Sequence, residues 1–135
     1  MQFLSDDDVI AVYREVVGDP VLRYAAGLSS AVGRPQQSAF GEDAYPTLVL
    51  KAAVLMQSLA QNQPFVDGNK RIAWVCGKLF LQINGLTVEA TDSEALDLFS
   101  NRIAAGAEIK EIGAWIEQRS AAFRRMPSPA PDERT

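Results

Sequence analysis

Histidine is absent from all 135 residues of this chain. That removes His-dependent triads, the common zinc motifs and imidazole acid–base chemistry from consideration. Cysteine occurs once, at Cys76, so no internal disulfide can form and a reducing cytoplasm suits the chain. The flanking Trp74, Val75, Leu79 and Phe80 mark Cys76 as core packing rather than a reactive thiol. No apolar run approaches the roughly 20 residues that span a bilayer. The acidic start from Met1 to Asp8 lacks the basic segment of a signal peptide. A soluble, cytoplasmic protein without membrane contact is expected. A basic surplus is missing too: 13 Lys and Arg face 17 Asp and Glu, a net charge of −4, which argues against direct nucleic acid binding. There is no Gly-x-x-x-x-Gly-Lys-Ser/Thr, so a Walker-type kinase is excluded, and no internal repeat.

What is present is an ordinary globular composition, 47% apolar, in one domain expected to cover residues 1–125. The patterning is helical nearly throughout, giving an all-α bundle of about six helices. Ser5 is a plausible N-cap with Asp6, Asp7 and Asp8 in the first turn, followed by an apolar stripe through Val9, Ile10, Tyr13, Val16 and Val17. A second helix is predicted from Pro20 through Leu22, Ala25, Leu28 and Val32, stopping by Gly33-Arg34-Pro35. Residues 36–45 have no clean periodicity and read as a loop or short extended hairpin near the site. Pro46 opens a third helix through Leu59, ending near Ala60. A fourth, Asn69 to Ile83, is apolar almost all round, the pattern of a bundle's buried centre, and Asn84-Gly85 stops it. Leu86 to Ala90 is short and extended. Thr91 with Glu94 forms a capping-box pattern opening a fifth helix that closes at Gly106, and a sixth runs from Glu108 to Phe123. The tail 126–135 holds three prolines in ten residues and reads as disordered.

The chemistry concentrates in Asn62-Gln-Pro-Phe-Val-Asp-Gly-Asn-Lys-Arg71, where one helical pattern stops and the next starts. The fourth helix begins there with unpaired N–H groups and the positive end of its dipole, which attract anions. Gly68 lets a phosphate approach the main chain closely. Asn69 can cap the helix or donate its amide to a phosphate oxygen. Lys70 is a point charge and Arg71 a planar fork, both suited to phosphoryl oxygens. Asp67 is a hard oxygen ligand for a magnesium ion. Each residue alone is more simply a cap, a turn or a solvated first turn. Together they say more, because two cations at a helix N-terminus oppose the dipole unless an anion offsets them. Pro64 and Phe65 shape the loop, with Phe65 in the core. Gln63 can orient a hydroxyl or a water but cannot take up a proton near neutral pH.

This decapeptide resembles the signature loop of the Fic/Doc family, and its Asn69-Lys70-Arg71 ending is similar to the Doc (death-on-curing) branch. Arg34-Pro35, the stretch from Phe40 to Pro46, and the helices flanking the loop extend the likeness to roughly residues 5–120. The resemblance implies a small helical toxin that transfers phosphate from ATP or another nucleoside triphosphate to a protein hydroxyl, that of elongation factor Tu in the Doc branch, with Mg2+ as cofactor. It also implies a separate Phd-like antitoxin, since the internal inhibitory helix of some Fic proteins is not evident. By position, Asp67 would bind magnesium, Gly68 and Asn69 would hold phosphate, and Lys70 and Arg71 would bind the triphosphate. Phe40, Gly41, Glu42 and Asp43 would form the flap that aligns the target peptide. Lys70 stands where adenylylating Fic enzymes have a second glycine, which disfavours AMP transfer, the family's other activity. Gln63 stands where the family carries its catalytic histidine, implying a weakened or inactive enzyme. Two further readings stay open: a non-catalytic module binding nucleotide or another anion and a partner peptide, and a purely structural helical domain.

Overall fold

A computed structural model of the chain describes residues 1–122. Within them six α-helices and two small antiparallel strand pairs form one layered bundle: α1 Asp6–Val16, α2 Ala25–Gly33, β1 Ser38–Ala39, β2 Glu42–Asp43, α3 Leu48–Asn62, α4 Asn69–Ile83, β3 Leu86–Val88, α5 Asp92–Asp97, α6 Ile109–Gln118 and β4 Ser120–Ala122. The all-α reading holds. The expected domain end at residue 125 and the tail 126–135 lie outside the described residues.

Helix α3 is the centre. Residues Lys51 to Met56, Ser58 and Leu59 are all buried, and the helix packs against α2, α4 and α6. The sequence pattern assigned that place to α4, whose buried positions are Ile72, Ala73, Cys76, Gly77, Phe80 and Leu81. Those six fall on one face. Trp74 and Leu79 are only partly covered and Ile83 is exposed, so α4 lies against the centre rather than in it. The two helices touch closely at Gly77, where an added Cβ would fall 2.5 Å from Met56 Cγ.

Local signals set most helix starts. Ser5 and Asp8 form a reciprocal capping box on α1, and Thr91 and Glu94 another on α5. Helix α3 begins two residues after Pro46, with Thr47 as its cap, and extends to Asn62. Helix α2 begins at Ala25, not Pro20, because the backbone of residues 21–24 is committed elsewhere. Leu22 bridges Phe65, Arg23 and Tyr24 donate their N–H groups to the Pro64 carbonyl, and Val66 donates to Val21. A helix there would forfeit all of these.

Two further departures come from the C-terminal half. Helix α5 widens into a π-helical segment, Leu98–Ile103, a rare form that is frequent at functional sites. Helix α6 stops at Gln118 instead of running to residue 123. The chain then turns into β4, which pairs with β3 through Leu86 and Ala122, Thr87 and Ala121, and Val88 and Ser120. Pairing with β3 uses backbone groups that one more helical turn would have bonded internally.

Residues 36–45 are a hairpin, as one of the two sequence readings had it. Ser38 faces Asp43 and Ala39 faces Glu42, with Phe40 and Gly41 at the tip. Both tip residues have positive φ, 55° and 80°, the geometry of a primed hairpin turn.

Candidate functional site

The loop between α3 and α4 is held from below by α1 and from one side by residues 21–24. Phe65 is wholly buried and stacks on Tyr13 at 4.1 Å between ring centroids. The Tyr13 hydroxyl lies 3.0 Å from both the backbone oxygen and Oδ1 of Asp67. Burial, and then the neighbouring Asp67 carboxylate, raise the Tyr13 pKa, so the phenol is the donor in this pair. Gly68 caps α4 with φ 73°, and an added Cβ would meet Val17 Cγ1 at 2.9 Å. Glycine is therefore required here by the approach of α1 as well as by the turn.

Five of the residues singled out from sequence share one cleft. Gln63, Gly68, Asn69, Lys70 and Arg71, with Ala60, line a space of about 410 Å³ at the opening of α4. The N–H groups of Asn69, Lys70 and Arg71 precede the first intrahelical bond, from Ile72 to Gly68, and supply the donor end of the helix. Lys70 and Arg71 are exposed and make no ion pair among the described residues. Lys70 only approaches Ser100 Oγ at 3.4 Å, on the π-helical segment. A second space, lined by Gln63, Lys70, Phe99, Ile103 and Ala104 among others, makes that segment the opposite wall. A third runs from Lys70 and Arg71 along Trp74 to Asp92, Ala95, Leu96 and Phe99. The two cations thus line both the cleft at the opening of α4 and the one that runs toward α5.

Three assigned residues behave differently from the simplest expectation. The Asn69 side chain turns inward: its Oδ1 accepts from Phe65 N at 3.0 Å and its Nδ2 donates to Phe65 O at 2.9 Å. That leaves its backbone N–H, not its amide, for an anion. Asp67 is not among the residues lining the cleft, and its carboxylate is held on the α1 side beside Gly68. Gln63 ends α3 in the left-handed region, φ 47° and ψ 59°, and its exposed side chain faces the cleft. Its carbonyl accepts a bond from Arg23 Nη2 at 2.9 Å.

The flap hairpin is tied to α3 rather than to the loop. Lys51, 4% exposed, directs its ammonium to Asp43 Oδ2 at 3.1 Å, the Pro35 carbonyl at 3.2 Å and the Tyr45 carbonyl at 2.5 Å. Arg34 joins the Tyr45 hydroxyl to Ser58 and Gln57. Phe40 at the tip is completely exposed, and Gly41 and Glu42 are exposed with it. Tyr13, Arg23 and Lys51 were not singled out from sequence as part of the site. An isolated buried-pattern tyrosine, a loop arginine and a helix lysine carry no motif, so only their partners reveal them.

Magnesium at phosphoryl sites is commonly held by one or two carboxylates together with substrate phosphates and water. Asp67 fits such a role by its chemistry, from a place beside the cleft rather than among the residues that line it. Its carboxylate is exposed, one oxygen is engaged by Tyr13, and among the described residues no donor reaches the other. No group of three or more His, Cys, Asp or Glu among the described residues could hold a metal without such a ligand. No described helix is long and apolar enough to cross a membrane.

Residues 3–81 match the Fic/DOC family, a span that includes the loop, the flap and helices α1 to α3 with most of α4. The chain is also 38% identical over 124 residues to Toxin Doc of Mycolicibacterium smegmatis, covering 90% of this chain and 95% of that protein.

Proposed function

The chain belongs to the Fic/Doc family, and from that premise we propose that it is a Doc-type toxin of a toxin–antitoxin pair acting in the cytoplasm. Its reaction would be phosphate transfer from a nucleoside triphosphate to a protein hydroxyl, elongation factor Tu being the target implied by resemblance. A Phd-like antitoxin would neutralise it. The observation that carries this reading is the shared cleft in which two cations without an ion pair among the described residues, and the N–H groups of the first turn of α4, surround one space. Like charges crowded at a helix N-terminus are costly unless an anion lies among them.

In this reading the terminal phosphate rests on the N–H groups of Asn69, Lys70 and Arg71, and the Lys70 and Arg71 side chains neutralise the oxygens. Magnesium, held by Asp67 and the phosphates, would supply further charge neutralisation. The target hydroxyl oxygen bonds the γ-phosphorus while the bond to the β–γ bridging oxygen breaks and a nucleoside diphosphate leaves. Phosphoryl transfer depends chiefly on positioning and charge, so the fold alone retains part of the catalysis. Gln63 can orient the hydroxyl, but the proton must pass to water, so turnover is slow or absent. Lys70 narrows the space beside the glycine turn and disfavours AMP transfer.

The test is Gln63→His with labelled ATP and elongation factor Tu. Transfer should rise by ~10²-fold or more, the contribution typical of a positioned general base. If the histidine variant neither transfers phosphate nor arrests growth, the enzymatic reading is wrong. The second reading, a non-catalytic module that binds nucleotide and a partner peptide, is favoured by Gln63 itself. It keeps the cleft and loses the base. Calorimetry with magnesium-ATP on wild type and Lys70→Ala separates that module from a structural domain, for which affinity would be negligible in both.

A further inference from the structure

Helix α1 contributes one polar side chain to the loop, and it contributes it at Asp67. Tyr13 is 2% exposed, its ring is stacked on Phe65, and its hydroxyl meets Asp67 at both the backbone oxygen and Oδ1. These contacts fix three things at once. The ring stack holds the depth of the loop, and the one hydroxyl proton, shared between the backbone oxygen and Oδ1, ties the direction of the loop to the rotation of the carboxylate. A loop that needed only to be capped would use the first two.

We infer that Tyr13 is a positioning residue for Asp67, turning its carboxylate so that one oxygen is occupied and the other is offered to a divalent cation carried in with the triphosphate. This rests on the proposed nucleotide-binding reading and adds to it a residue outside the loop, 54 positions away in sequence. Gly68 supports the arrangement from the same side, because a Cβ added there would run into Val17 at 2.9 Å and so push the loop away from α1. A carboxylate held in this way loses less freedom on meeting the ion, and removing such a partner typically lowers metal affinity 10- to 100-fold.

The test is Tyr13→Phe in the full chain, which keeps the ring stack and deletes only the hydroxyl. Affinity for a non-hydrolysable ATP analogue is measured by calorimetry with magnesium and with EDTA, and thermal unfolding is followed in parallel. We expect the metal-free affinity of Tyr13→Phe to match wild type, while the gain on adding magnesium falls about 10-fold. In an Asp67→Asn background the same change should then have no further effect on the magnesium gain. An undiminished magnesium gain in Tyr13→Phe overturns the inference. So does an equal loss with and without metal, or an additive effect on Asp67→Asn, since each would make Tyr13 a structural support only. Should wild type bind the analogue equally well with magnesium and with EDTA, this inference alone is overturned; should it bind the analogue under neither condition, the nucleotide reading fails and the inference with it.

Discussion

Arg23 and Gln63 are 40 positions apart in sequence and joined by a bond from the guanidinium Nη2 to the Gln63 carbonyl, 2.9 Å long. The bond matters because of what Gln63 does there. It leaves α3 through the left-handed region at φ 47°, a conformation that costs a residue with a side chain roughly 1–2 kcal/mol. Arg23 fastens the strained carbonyl, and its own N–H fastens the next one, at Pro64. The strain is thereby kept at the position whose side chain faces the cleft.

Substitutions at position 63 should follow backbone preference more than side-chain contact. Gln63→Gly relieves the left-handed strain and adds unfolded-state freedom, so it should be neutral to slightly stabilising, within about 1 kcal/mol. Gln63→Val places a β-branched residue at the same φ and should cost about 1–2 kcal/mol or more. Urea unfolding of the two variants reads the difference directly. A valine variant as stable as the glycine variant would show that the turn is not held in this form.

Lys51 makes a second prediction, about the flap. Its buried ammonium has three acceptors, and two of them are main-chain carbonyls at the ends of the hairpin. Lys51→Met keeps the length of the side chain and strands the Pro35 and Tyr45 carbonyls. Unpaired buried acceptors cost about 1–3 kcal/mol each, while Asp43, with its side chain 58% exposed, can turn to water. A total loss of about 2–6 kcal/mol is expected. Amide exchange at Ala44, which bonds the Gln37 carbonyl across the hairpin, should accelerate more than exchange in α4.

How much of this was legible beforehand depends on how far each cause lies along the chain. Ser5 with Asp8 and Thr91 with Glu94 close their capping boxes within three residues; the second is legible as a capping box, the first only as an N-cap followed by acids. The loop from Asn62 to Arg71 is equally local: Gln63, Gly68, Lys70 and Arg71 share one cleft, while the Asn69 amide turns inward to Phe65 and Asp67 lies outside that lining. Tyr13, Arg23 and Lys51 act through partners that no periodicity names. Tyr13 reads as one more member of an apolar stripe and Pro20 to Leu22 as the start of a helix, whereas Val66 bonds the Val21 carbonyl and the Pro64 carbonyl takes the N–H groups of Arg23 and Tyr24. The exchange of places between α3 and α4 has the same origin. Apolar content tells which faces are buried, not which helix the others surround.

Acid should loosen the contact between α5 and α6. Backbone bonding at Thr91 foremost, then Arg119, hold the Glu94 pKa below its ordinary 4.5. A carboxyl depressed in the folded state adds stability above its unfolded pKa and loses it as pH falls through the folded value. The Glu94 contribution is therefore intact at neutral pH and disappears below about pH 4.5. Glu94→Gln should lower stability at pH 7 and flatten its decline in acid, because the same Arg119 contact no longer titrates. Parallel stability profiles for the two proteins down to pH 3 would contradict this.

Cys76 behaves in the opposite sense. It is completely buried on the inner face of α4, and burial, with a smaller effect from Asp8, pushes its thiol up to about 12 from the ordinary 9.0. The unfolded chain therefore releases this proton near pH 9 while the folded chain holds it until about pH 12. Fewer protons are bound in the unfolded state over that interval, so stability falls as pH rises through it. Since the thiolate is the nucleophile, the folded protein should resist thiol reagents at pH 8, and its labelling rate should track the fraction unfolded in urea. Cys76→Ser, which places a hydroxyl in the same apolar pocket, should cost about 1–3 kcal/mol and abolish the alkaline decline due to this group. Rapid labelling of the native protein at pH 8, with no dependence on urea, would mean that α4 opens locally and exposes the residue without global unfolding.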